Sequence, residues 1–87
     1  MNDDEVRVQL LGLIIQSGDV GLSEQGIADA GGSLRSLNYS SMAYMRLIDG
    51  IENELGVYVD PEADTEMFES VDSLMLLVRR GMEQAGA

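Results

Sequence analysis

The apolar residues of this chain fall into three helical stripes, separated by one long stretch with no period. Val6, Leu10, Leu13 and Ile14 recur at spacings of three and four, which predicts a first helix from Asp3 to Gln16. Asn2 or Asp3 can cap it, Asp4 and Glu5 suit the positive end of its dipole, and Gly18 ends it. Val8, Leu11 and Ile15 form a second stripe on nearly the opposite side, so the following segment is expected to cover it. Tyr44, Leu47, Ile48, Ile51 and Leu55 share one face of a second helix, Ser41 to Leu55, stopped by Gly56. Val71, Leu74, Met75, Val78 and Met82 mark a last helix that runs to about Gln84, capped by Ser70 or Asp72.

The connections differ in kind. Residues 17 to 40 hold Gly18, Gly21, Gly26, Gly31 and Gly32, half of the ten glycines, and read as a long loop with one helical turn over Ser23 to Ala28. Leu22, Ile27, Leu34 and Leu37 are its apolar anchors. After the second helix, Val57 to Asp60 is extended, because the residue before Pro61 avoids the helical region. Pro61 suits the first turn of a short helix, about Glu62 to Phe68, with Asp60 as its cap. The expected fold is all-α: a small bundle of three main helices plus one short helix, with a long first loop, in a single domain over residues 1–87.

Composition removes several chemistries. The chain has no Cys and no His, which excludes disulfides, a Cys/His zinc site and catalysis by either residue. Sixteen acidic residues against five basic ones, all Arg, give a formal net charge of −11. That charge is repelled by phosphate backbones and anionic lipids and is drawn to proteins with basic patches. No apolar run reaches the roughly eighteen residues that a bilayer requires, and Asp3, Asp4 and Glu5 stand where a signal peptide is basic. A cytoplasmic protein is expected, with no nucleic-acid or membrane role. Asp60, Glu62 and Asp64 echo the start of a calcium loop, but Thr65 replaces its glycine and Val71 its closing glutamate, so no metal is expected.

One short run can carry chemistry. In Leu37-Asn38-Tyr39-Ser40-Ser41-Met42 a serine pair opens the second helix, and a hydroxyl there sits among unpaired backbone N–H groups that favour phosphate. Taken alone, such a pair is an N-cap, which is compatible with chemistry because Ser40 can cap while Ser41 projects its hydroxyl outward. The run resembles the segment of acyl and peptidyl carrier proteins written Leu-Gly-x-Asp-Ser-Leu. Ser41 falls on the family serine, Asn38 on its glycine, Ser40 on its aspartate and Met42 on its last leucine. Arg46-Leu47-Ile48, Glu52, Glu54-Leu55-Gly56-Val57 and Phe68-Glu69-Ser70 are similar to stretches that follow the serine, and the resemblance spans about Val6 to Met82.

The resemblance implies that Ser41 bears a 4'-phosphopantetheine arm transferred from coenzyme A, holding an acyl or aminoacyl group as a thioester for polyketide, fatty-acid or nonribosomal-peptide assembly. A carrier of this kind is not itself an enzyme, and a separate phosphopantetheinyl transferase would supply base and metal. Where the family's aspartate helps that transferase engage the serine, this chain offers the hydroxyl of Ser40. Beyond the core stripe, Met42, Met45 and Asp49 lie on the other side of the second helix, with Glu52 on its flank. Methionine's flexibility suits them to dock loading and synthase enzymes that carry basic patches. A free-standing, monomeric carrier is the expectation. The alternative is an unmodified acidic helical module that binds a basic partner through the same face.

Overall fold

The helices begin where a small polar side chain can accept a hydrogen bond from the first turn. The computed structural model describes residues 2–18, 22–37, 39–60 and 64–85. Helix α1 spans Asp3–Ser17, with the Asn2 side chain accepting from the Glu5 N–H at 2.8 Å. Helix α2 is short, Glu24–Asp29, and Ser23 caps it by accepting from the Gly26 N–H at 3.0 Å. Helix α3 spans Ser41–Leu55 and ends at Gly56, whose φ of 68° is a left-handed stop that a side chain would resist. A 3-10 turn covers Thr65–Phe68, and helix α4 spans Val71–Ala85. Ser70 and Ser73 cap the start of α4 reciprocally, each hydroxyl accepting from the other's N–H at 3.2 Å. The protein is a small all-α globule, and no helix among the described residues is long and apolar enough to cross a membrane.

The core follows the stripes. Leu10 and Ile14 of α1, Leu47 and Ile51 of α3, and Val71, Leu74 and Val78 of α4 are fully buried in one cluster. Val57 and Val59 add to it from the segment after α3, while Tyr58 between them points outward, as alternation along an extended segment requires. Gly81 belongs to this packing, because a Cβ there would collide with the Val57 side chain. Ile27 and Leu34 are buried and anchor the long loop, and Leu22 and Leu37 pack more loosely. Beside them the loop pairs with the start of α4. Leu34 donates to the Glu69 carbonyl at 3.0 Å, Val71 donates to the Gly32 carbonyl at 2.8 Å, and Ser33 and Ser70 form an antiparallel bridge.

Two expectations need correction. The short helix after Pro61 begins at Thr65 rather than Glu62, and it is a 3-10 turn; residues 61–63 lie outside the described residues. At this corner the Asp64 carboxylate accepts from the Asp60 N–H at 3.0 Å and its own N–H donates to the Asp60 carbonyl, while the expected cap by Asp60 falls on residues 61–63, outside the described residues. The second stripe of α1 is covered only in part. Leu11 and Ile15 pack against the core, but Val8 stays 65% exposed.

Candidate functional site

Helix α3 starts where it does because Ser40 is extended and turns its hydroxyl back onto the helix. Its Oγ accepts from the Ala43 N–H at 3.1 Å, and its carbonyl accepts the Tyr44 N–H. Ser40 is therefore committed to the cap, and Ser41 becomes the first helical residue. Ser41 is exposed, and its hydroxyl takes no hydrogen bond among the described residues. Asn38, at the glycine position of the carrier segment, lies outside those residues.

Two tyrosines fix this corner. The Tyr39 hydroxyl donates to the Ile14 carbonyl at 2.8 Å, tying the chain just before the helix to the end of α1. The Tyr44 hydroxyl donates to the Phe68 carbonyl at 3.2 Å, tying the first turn of α3 to the 3-10 turn. Their rings meet edge to face with centroids 4.8 Å apart, and Tyr44 meets Phe68 in the same manner at 6.0 Å. Burial pushes the Tyr44 phenol above its ordinary value, with Arg35 opposing and Glu69 adding to that shift, so it stays a neutral donor. Arg46 reaches the other way, its guanidinium donating to the Ser17 carbonyl at 3.4 Å at the negative end of α1. The sequence showed aromatic residues on both sides of the serine pair; their hydroxyl partners come from distant segments, which no local pattern encodes.

The outward side of α3 carries the other candidates. Met42 is 64% and Met45 70% exposed, and Asp49 is exposed with no ion pair among the described residues. These three lie together on the helix surface, with Ser41 at its head. Glu52 is different. It is half-buried, and its carboxylate accepts from the Val59 N–H at 3.3 Å, so it joins α3 to the following segment as well as facing the rim.

The arrangement offers one accessible hydroxyl on a rigid mount, beside an apolar and acidic strip. A phosphodiester on Ser41 would stand next to the backbone N–H groups of the first turn, which favour an anion, and the exposed side chain leaves it room. The residues present fit a phosphopantetheine arm in that sense. Among the described residues no group of three or more Asp or Glu is gathered to hold a metal ion. Compared with family models, with curated proteins and with solved structures, the chain matches none.

Proposed function

We propose that this protein is a carrier whose Ser41 bears a 4'-phosphopantetheine arm. The observation that carries the reading is the division of labour between two adjacent serines: Ser40 caps α3, and Ser41 is left exposed at the helix start. The arm, once attached, supplies a thiol that holds an acyl or aminoacyl cargo as a thioester. The chain itself contributes the attachment oxygen, a stable mount and a surface for docking. Phosphopantetheinyl transferase and the loading and synthase enzymes are its partners, in the cytoplasm, and Met42, Met45, Asp49 and the rim of Glu52 form the face they approach. In this reading the carrier is monomeric.

Intact mass after incubation with coenzyme A and a broad-specificity transferase tests the reading. One arm should be gained, Ser41→Ala should abolish it, and Ser40→Ala should still be modified. Ser40→Asp should speed the reaction, since it restores a carboxylate at the family position and aspartate also caps helices well. Modification of Ser41→Ala would place the attachment elsewhere. Ser40 itself favours a second reading, an unmodified acidic module that binds a basic partner through the same strip; absence of any mass gain would support it.

A further inference from the structure

We propose that Met42 and Met45 form a reversible oxidation site through which hydroperoxides control access to Ser41, an inference that rests on the carrier reading. The chain has no Cys, so its thioethers are the side chains that a peroxide attacks most readily. They are not equivalent. Met42 and Met45 are 64% and 70% exposed, whereas Met67, Met75 and Met82 are partly buried and pack against the core.

In the step itself, the thioether sulfur attacks the terminal peroxide oxygen. An S–O bond forms, the O–O bond breaks, and the proton of the attacked hydroxyl passes to the departing oxygen. Sulfur is oxidised by two electrons, and hydrogen peroxide leaves as water, an organic hydroperoxide as its alcohol. The sulfoxide is polar and solvated at so exposed a position, so the bundle beneath has no reason to loosen. What changes is the strip beside Ser41. Two flexible apolar groups become strong dipoles, on a surface whose apolar contact a docking enzyme would use. A methionine sulfoxide reductase reverses the step at the expense of a thiol.

Full-length apo-protein is treated with hydrogen peroxide, freed of it, mapped by peptide mass and then given coenzyme A and transferase. Met42 and Met45 should oxidise before Met67, Met75 and Met82, with the thermal midpoint unchanged. Transfer to Ser41 should slow by about tenfold and recover after reductase treatment. The double variant Met42→Leu with Met45→Leu, compared only with itself, should transfer at the same rate before and after peroxide. Equal oxidation of the packed methionines, an unchanged transfer rate on the oxidised protein, or a Leu variant still slowed by peroxide would each overturn the site. Failure of the untreated protein to accept the arm overturns the carrier reading, and this inference with it. A failure confined to the oxidised form or the variant removes the inference alone.

Discussion

Two outer surfaces of this bundle expose large apolar side chains, and they treat their charges in opposite ways. On the outer sides of α1 and α4, Val8 and Leu76 are exposed, yet charges of the same helices answer one another across the seam between them: Arg7 pairs with Asp72 at 3.3 Å and Arg79 with Asp3 at 3.4 Å. On the outside of α3, Met42 and Met45 are exposed beside Asp49, which has no such partner among the described residues. Paired charges satisfy their own surface and leave little field for anything else. Unpaired acids beside flexible apolar groups keep their field for a second molecule. The difference separates a surface that closes on the fold from one that is left available.

The comparison presumes one core beneath both surfaces, and the largest effect should come from cutting it. Leu47→Ala removes a fully buried side chain at the centre of the cluster and should cost about 2–5 kcal/mol. Loss of that size lowers the thermal midpoint by about 8–40 °C in a domain this small, by the usual scale of about 4–8 °C per kcal/mol. Far-UV circular dichroism on heating would show it. A shift of only a degree or two would mean that α3 stands apart from the rest.

Next is the tyrosine that mounts α3. Tyr44→Phe keeps the ring but removes the bond to the Phe68 carbonyl, a loss of about 1 kcal/mol. The sign of its pH dependence follows from burial. The folded phenol titrates above its ordinary value of 10.0, so its contribution is fully present below pH 10 and is lost as pH rises through the folded value. Urea midpoints of the wild type and Tyr44→Phe should therefore converge at strongly alkaline pH, and a gap that stayed constant would deny the phenol that role.

Two acids of α3 then sharpen the distinction between fold and face. Glu52→Ala should cost about 0.5–1 kcal/mol, because the Val59 N–H loses its acceptor, while Asp49→Ala should stay within about 0.5 kcal/mol of wild type. The same denaturant titration reads both; equal costs would erase the distinction. The smallest effect belongs to the seam. A double-mutant cycle on Arg7 and Asp72 should give a coupling of about 0–1 kcal/mol that fades with added salt, since both side chains are solvated. A larger, salt-resistant coupling would make that pair part of the core framework.

How much of this was legible in the sequence depended on how local the cause was. The core faces of the three long helices followed from their spacing, and Leu10, Leu47, Leu74 and Val78 are buried as periodicity requires. The caps at Asn2 and Ser70 were legible for the same reason, since donor and acceptor lie within one turn. The bond of the Asp64 carboxylate to the Asp60 N–H was not, because a run of acids so close in sequence does not show which one turns back. Bare Val8 was misread because amphipathic patterning shows that a side chain is apolar and not that a neighbour exists to cover it. The reach of Tyr39 to Ile14 and of Glu52 to Val59 was invisible, since each depends on how whole segments pack. Ser41 was marked by its place at a helix start and by resemblance. A cap at Ser40 with the Ser41 hydroxyl projecting outward was legible too, and the structure has both.

The pairing of the long loop with the start of α4 has a consequence for how the molecule opens. Gly32 and Leu34 precede α3 in the chain, Glu69 and Val71 follow it, and their two backbone bonds make that helix the interior of a closed ring. Helical bundles usually assemble from contacts between neighbours in sequence, whereas this clasp must wait for ends that are far apart along the chain to meet. Closing so long a ring costs loop entropy that local helical contacts do not, so the clasp is expected to form after the helices. The Leu34 and Val71 amides should exchange with solvent together, at the pace of global unfolding, while the first turns of α1 exchange sooner. The mount beneath Ser41 thus owes part of its persistence to residues on either side of it in the chain, beside the core side chains of the helix that displays it.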